Sequence, residues 1–321
     1  MNMLPHVSLI TPTYNRQQFW RNTARMMMKQ DYPHELMEWV IIDDSDNGDL
    51  RGEEEFKHDP AFDIKIRFYK FSSKVSLAQK RNHLNRQATG KYIINIDDDD
   101  YYPPTRVSHA VEILEREGTP LVGSSKMYMY YTRDNTVYQL GPYADNHGTA
   151  ATMAYTKEYT KTHDYGTGDY AEEGTFSEQW KTPMAQLEPM KTVLAMSHSN
   201  NTIEKTMFLE QKNGQVGQSI NLTTLTLEDF AKEADALEFY QDLRSKYKYV
   251  PNAASTEVAQ KMAQNNLVAQ AKYTQISSQK LLQEIMGARR RYEIEMLLLH
   301  DNDVGRIEIQ SGGAPRPPAA I

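Results

Sequence analysis

Four consecutive aspartates, Asp97–Asp100, follow directly on the apolar run Tyr92–Ile96. Adjacent carboxylates repel, and each pushes its neighbour toward the neutral form unless a cation shares them. At the carboxyl end of a buried strand, where open α/β sheets bind ligands, the matching partner is a hard divalent cation. Mg2+ and Mn2+ take oxygen ligands and pair with substrate phosphates. The competing reading is an Asp-rich helix start, favoured by the macrodipole, since Pro103 and Pro104 come next. A second pair, Asp43–Asp44, ends the run Glu38–Ile42. From Asp43 onward, Ser45, Asn47, Gly48 and Glu54 fall at calcium-loop spacing. Such a loop needs a helix on each side, whereas the residues before it read as a strand. A strand-end acid that hydrogen-bonds a nucleotide is the preferred alternative.

These acids need strands to carry them. His6–Thr11, Glu38–Asp43 and Lys91–Asp97 are short, largely apolar runs ending in polar residues, and Asp63–Tyr69 is a weaker alternating strand. Arg16–Lys29, with Phe19, Trp20, Ala24 and Met27 at helical spacing, lies between them, as do Ser76–Ala88 and then Pro103–Glu117. Strand–helix alternation with nearly continuous apolar strands implies a mainly parallel, doubly wound α/β sheet covered on both faces.

From about residue 120, Tyr/Thr/Val-rich segments read as antiparallel strands, and Thr162–Thr175 reads as an exposed, mobile loop. Ala171–Trp180 is a candidate helix and Thr192–Ser197 a final strand. Thr226–Lys246, opened by the capping pair Thr226 and Asp229, and a stretch from about Ser255 to Leu299 read as helices. The division expected is a catalytic domain over 1–214, a helical region over 215–303 and a flexible Gly/Pro tail over 304–321.

Composition excludes several classes. A net charge of −7, most of it in the first 200 residues, disfavours a protein that grips nucleic acid through its phosphates. The absence of cysteine excludes disulfides, thiolate zinc sites and a thiol nucleophile. No histidine pair has the His-x-x-x-His spacing of a zinc site. The first residues lack a secretory signal pattern, and no run reaches the ~18 apolar residues of a membrane span. The expectation is a soluble, cytoplasmic protein.

The ordered motifs VSLITPTYNR, WVIIDDSDNGD and SLAQKRNHLNRQATGKYIINIDDDDYYPP together resemble the N-terminal half of family-2-type glycosyltransferases of the GT-A fold. The resemblance covers roughly residues 5–200. It implies a Rossmann-like sheet, a nucleotide-diphospho-sugar donor, a glycan, lipid-linked or protein acceptor, and Mn2+ or Mg2+ as cofactor. Thr11, Pro12, Tyr14 and Arg16 would line the nucleotide pocket, with Asp43 or Asp44 contacting the base. Arg81 would approach the nucleotide, because its charged fork suits a diphosphate or a base edge. Asp97 and Asp99 would form the acidic pair, Asp99 as direct metal ligand and Asp97 or Asp98 nearer the ribose. Four aspartates in a row leave that register open by one residue. His198, after an apolar strand, is the candidate that completes the metal site.

The family also places an acidic general base at a helix start beyond the acceptor-side strands. Glu172 and Glu173 stand there in place of the usual Glu-Asp. Glu173 is the favoured base, with Glu172 the competitor and an inverting transfer the implied outcome. Two other readings stay open: a nucleotidyltransferase of similar sheet topology, and a nucleotide-sugar-binding protein without catalysis. The first lacks glycines after the opening strand, and donor binding paired with donor hydrolysis separates the second. Phe230, Leu237, Phe239, Tyr240 and Leu243 give one C-terminal helix an apolar face, to pack on the catalytic domain or on a second copy in a homo-oligomer. Arg289–Arg291 offer a weaker case for peripheral contact with an anionic membrane.

Overall fold

A computed structural model of the protein describes residues 3–46, 62–168, 172–198, 201, 205, 209, 220–246 and 286–287. Two compact units divide the chain, Met1–Val258 and Ala259–Ile321, and every element named below belongs to the first. The expected helix beyond Ser255, the residues Arg289–Arg291 and the Gly/Pro tail lie outside the described residues.

The first unit is organised by strands buried on both faces. Strands β1 (Val7–Thr13) and β2 (Met37–Asp43) are buried almost throughout, which is why their sequences show little polar alternation. β3 (Lys65–Lys70) is half-exposed, as an edge strand of the same parallel set should be. β4 (Tyr92–Asn95) pairs parallel to β1, Val7 opposite Tyr92. Among the described residues the sheet continues through β8 (Ala154–Thr156), β5 (Leu121–Gly123) and β9 (Met184–Gln186), in the order β3-β2-β1-β4-β8-β5-β9. Only β8 runs against its neighbours. The architecture is the mixed, mainly parallel α/β sheet of the GT-A fold.

Period-two alternation sorts the strand side chains onto two faces. Leu9, Trp39, Ile41 and Ile94 join one core, which α1 (Gln17–Met28) and α3 (Arg106–Glu117) cover. There Trp20 of α1 stacks on Trp39, ring centroids 4.8 Å apart. Ile10, Val40, Ile42 and Ile93 join the other, under α2 (Leu77–Gln87). Helix α2 starts cleanly because Ser76 and Gln79 close a reciprocal capping box. The turn from α2 into β4 must be glycine: a Cβ on Gly90 would lie 2.6 Å from the Ser8 nitrogen. Beside it the buried Glu38 carboxylate accepts from the Ser8 hydroxyl and the Thr89 amide, pinning the sheet at the end away from the acidic cluster.

A second, four-stranded sheet follows, β10-β6-β7-β11, comprising β6 (Met127–Tyr131), β7 (Thr136–Leu140), β10 (Leu194–Ser197) and β11 (Ile220–Leu222). The β6–β7 pair is antiparallel, as the Tyr/Thr/Val pattern suggests, but Leu194–Ser197 is not the last strand. Two expectations are corrected. Residues 162–168 are not simply an exposed loop: Tyr165 is buried and stacks flat on Phe176, centroids 4.1 Å apart. The helix expected over Ala171–Trp180 is only α4 (Glu172–Phe176), because Glu178, Gln179 and Trp180 all take left-handed backbone angles.

The helix expected over Thr226–Lys246 is broken at Ala231 into α5 (Leu227–Phe230) and α6 (Ala234–Lys246). Its apolar face is covered by the chain's own first unit. Phe230 meets Tyr128, Phe239 meets Phe19, and the Tyr240 hydroxyl donates to the Asp100 carbonyl at 2.9 Å. Lys29 and Asp235 pair across the same junction.

Candidate active site

The loop that leaves β4 carries all four aspartates past the carboxyl ends of β1 and β4, and each side chain finds different partners. Asp97 pairs with Arg81 at 2.9 Å, while its amide donates to the Tyr102 hydroxyl at 2.7 Å. Asp98 accepts from the Thr13 hydroxyl at 2.6 Å and lies 3.6 Å from the Arg16 guanidinium. One oxygen of Asp99 gathers three side chains: Arg16, His198 through Nε2 at 3.1 Å and Asn201 through Nδ2 at 3.0 Å. Asp100 accepts from the Met196 amide at 2.8 Å, with Lys205 at 3.8 Å.

These partners decide the charge states. Burial pushes Asp98 and Asp100 up to about 7, and their carboxylate neighbours add to the shift. Burial would do the same to Asp99, but the Arg16 guanidinium and the His198 hydrogen bond hold it well below the usual range. Burial lowers His198 to about 4, so its imidazole is neutral near pH 7. Phe19 stacks on that ring at 4.8 Å and fixes its plane.

The residues expected around the nucleotide fall into two groups. Thr11 and Pro12 are buried in β1, and the Thr11 hydroxyl donates to the Ile96 carbonyl while accepting from Trp39. Tyr14, Asp43, Asp44 and Arg16 lie at the strand ends. Asp43 accepts from the Ser45 amide at 2.8 Å, and Asp44 pairs with Lys80 at 2.7 Å and accepts from the Val75 amide. Tyr14 donates to Asp46, and Lys74 sits 4.4 Å over its ring. Asp43 closes a strand, so the calcium-loop spacing has no helix before it.

Arg81 is a fully buried link in the site. Its side chain is 2% exposed, and it bridges Asp97 and Glu172, both at 2.9 Å. Burial alone would lower its pKa, but the two carboxylates keep it charged. Glu172 is thereby committed to an ion pair. Glu173 is half-buried and accepts no side-chain hydrogen bond among the described residues. Burial, and then the neighbouring Glu172, push it up to about 8. The backbone beyond is unusual. Three successive non-glycine residues at φ 53, 57 and 64° cost about 1–2 kcal/mol each. They are held by the Gln179 amide on the Gly174 carbonyl at 2.7 Å and by Ser177, whose hydroxyl donates to the Glu173 carbonyl.

The structure therefore brings Arg16, Asp98, Asp99 and His198 together on one side of the acidic loop. Arg81, Asp97 and Glu172 meet on the other, with Glu173 beside them. The expected metal trio is not assembled as such, since Asp97 turns to Arg81; among the described residues no three His, Asp or Glu side chains form a ready ligand set. The residues present still fit a divalent cation. A carboxylate and a neutral imidazole within 3.1 Å suit Mn2+, and cations of this class take one or two protein ligands together with substrate phosphates. Asn201 and Tyr165 escape the sequence reading, and Tyr240 stands there only as part of an apolar helix face. Asn201 follows His198 closely enough to have been flagged, whereas nothing local marks Tyr165 or Tyr240.

Comparison with known proteins bears on this geometry. The pattern of glycosyl transferase family 2 matches residues 8–176, just over half of the chain. A glycosyltransferase named for teichuronic acid biosynthesis, TuaG of Bacillus subtilis, is 26% identical over 113 residues, covering 35% of this chain and 43% of TuaG. One named for colanic acid biosynthesis, WcaA of Escherichia coli, is 31% identical over 106 residues, 32% of this chain and 36% of WcaA. Each match spans less than half of either relative's length. Among solved structures, the mannosyltransferase PcManGT from Pyrobaculum calidifontis, in complex with GDP-Man and Mn2+, aligns with a TM-score of 0.50 at 14% identity. That alignment covers 92% of this chain and 88% of the other. No described helix is long and apolar enough to cross a membrane.

Proposed function

The chain belongs to glycosyl transferase family 2, and on that footing we propose that it moves a sugar from a nucleotide-diphosphate donor to an acceptor hydroxyl by a metal-assisted, inverting displacement. One observation carries the reading: the acidic loop presents the Asp99 carboxylate and the His198 imidazole on one side, and on the other it is joined through Arg81 to Glu172, whose neighbour Glu173 is a half-buried carboxylate with no side-chain partner among the described residues. The donor is a nucleotide-diphospho-sugar, and the acceptor presents a hydroxyl on a glycan, a lipid-linked sugar or a protein.

Asp99 and His198 would hold Mn2+ or Mg2+, which when bound supplies the positive charge that a departing diphosphate needs. A transferase of the same fold holds GDP-Man with Mn2+, which supports that choice of cofactor. Arg16 now neutralises Asp99; once that carboxylate has another cation, the guanidinium is placed to pair with the diphosphate, a match of planar fork to oxyanion. Tyr14, Asp43 and Asp44 border the nucleotide at the ends of β1 and β2, while Asp97 and Asp98 lie nearest the ribose. Glu173 takes the proton from the acceptor hydroxyl as its oxygen bonds to the anomeric carbon. The bond to the diphosphate oxygen breaks on the opposite face, and its electron pair leaves with the diphosphate. Arg81 holds Glu172 in an ion pair, which leaves proton transfer to Glu173.

The pH dependence follows from the sign of the Glu173 shift. A base acts only when deprotonated, and burial has raised this group to about 8. kcat/KM, which reads the free enzyme, is therefore expected to climb with pH and level off above about 8. A profile flat from about pH 6 to 9 would remove Glu173 from the role. A second expectation concerns Tyr240, which lies outside the family match yet holds the Asp100 carbonyl. Tyr240→Phe keeps the ring and deletes that hydrogen bond. Mn2+ affinity, read by calorimetry, should fall about tenfold, as for other groups that orient metal ligands; unchanged affinity would show that the loop does not depend on this helix. Titration of UDP-, GDP- and dTDP-sugars, with and without Mn2+, tests the donor side: tight binding of one donor only with the cation supports the proposal, and no binding of any donor opposes it.

A further inference from the structure

Beyond the acidic loop and its base, three aromatic rings meet at the far side of the sheet, and we propose that Tyr143, His147 and Trp180 form a platform for a sugar ring of the acceptor. The inference rests on the glycosyltransferase reading and extends it from the reacting hydroxyl to the body of the acceptor. His147 packs against Trp180 at 4.3 Å between ring centroids and against Tyr143 at 4.9 Å. Tyr143 is 45% exposed, large for an aromatic side chain, and Trp180 is half-buried, whereas Trp20 and Trp39 are core residues. One face of a pyranose ring presents C–H groups to the negative face of an aromatic ring, while its hydroxyls seek polar partners at the rim. Trp180 offers such a rim donor: its indole N–H meets no acceptor among the described residues. His147 Nδ1 also has no hydrogen-bond partner, and burial keeps the ring neutral.

The platform stands where an acceptor must extend. Sheet order runs β4-β8-β5-β9, and strands lie about 4.8 Å apart, so β5 and β9 end roughly 10–14 Å from the strand that delivers the acidic loop. The loop bearing His147 is fastened at that end, its carbonyl accepting from Gln186 at 3.1 Å. Tyr143 is fastened next to it by its amide on the Ser125 hydroxyl at 2.7 Å. Trp180 is tied directly to the segment that carries the base: its amide donates to the Ser177 hydroxyl, which itself donates to the Glu173 carbonyl. The left-handed run Glu178–Trp180 is thus a strained turn that brings one aromatic ring back beside Glu173's helix, and strain retained in this way marks sites that need a fixed side chain. A sugar whose hydroxyl reaches Glu173 would lay its next ring on this surface.

The test uses the full chain on an array of immobilised mono- and oligosaccharides, with calorimetric donor titration in parallel. Wild-type protein is expected to retain oligosaccharides, and Trp180→Ala to bind the same glycans at least about tenfold more weakly. Trp180→Phe should restore most of the binding, and donor affinity should not change in any variant. Because Trp180 is partly packed, Tyr143→Ala, at an exposed position, gives a second readout with little risk to folding and the same expected loss. Retention of the same glycans with unchanged affinity by both alanine variants overturns the proposal, as does a wild-type protein that binds donor but retains no glycan. If donor binding is also absent from the wild type, it is the glycosyltransferase reading that fails.

Discussion

Glu173→Gln is expected to lower kcat by at least about a hundredfold while leaving donor and metal affinity nearly unchanged. The substitution keeps shape and hydrogen-bonding capacity but replaces the basic carboxylate that receives the acceptor proton with a non-basic amide. Positioned bases contribute about 10²–10⁴-fold, and a group used only in the transition state reports in kcat rather than in binding. Glu172→Gln should behave differently, because Glu172 is the partner of a buried arginine. Its loss leaves Arg81 with Asp97 alone, and breaking a buried pair from one side costs about 3–5 kcal/mol. That variant should therefore melt early. Whatever protein remains folded should show its kcat/KM rise shifted to lower pH, since the charge of Glu172 helps to raise Glu173. If Glu172→Gln were stable and nearly dead while Glu173→Gln stayed active, the base would be Glu172. If both variants transferred sugar at the wild-type rate with donor binding intact, this segment would hold no base.

The second large effect belongs to Asp99. Asp99→Ala should reduce metal-dependent turnover at least about a hundredfold, because the charge that stabilises the leaving diphosphate would lose its anchoring carboxylate. Stability should change far less than for Glu172→Gln. Arg16 is not stranded by the substitution, since Asp98 lies 3.6 Å away and can take over the pairing. The same reasoning separates Asp99 from Asp100, whose carboxylate accepts the Met196 amide and so supports the strand it faces. Circular dichroism and a melting curve identical to wild type, together with lost Mn2+ binding, are the expected combination. An Asp99→Ala protein that turns over donor at the normal rate would place the cation elsewhere.

Much of this site is legible in the sequence because its chemistry is concentrated in short stretches. Asp97–Asp100 follow a strand that shows itself by its nearly continuous apolar run, and the Glu172–Glu173 pair opens a helix as expected, though a short one. What could not be read depends on residues far apart in the chain. Arg81 looks like a surface cation on an amphipathic helix, yet it is buried between two acids 16 and 91 residues away. Tyr240 and Phe239 look like any apolar helix face, but they close over the Asp100 carbonyl and, through Phe19, the ring of His198. The turn at Glu178–Trp180 contains no glycine, so nothing in its composition signals left-handed backbone. The break at Ala231 is equally silent, since Ala-Lys-Glu favours helix and only packing of Phe230 and Leu227 into the core interrupts it.

The central claim is that a cation held by Asp99 and His198 serves transfer from a sugar nucleotide, and the most direct measurement is hydrolysis of a panel of UDP-, GDP- and dTDP-sugars in Mn2+, Mg2+ and EDTA. The expected result is release of nucleotide diphosphate from one donor class, supported by Mn2+ or Mg2+ and abolished by EDTA. Undiminished turnover in EDTA would contradict it.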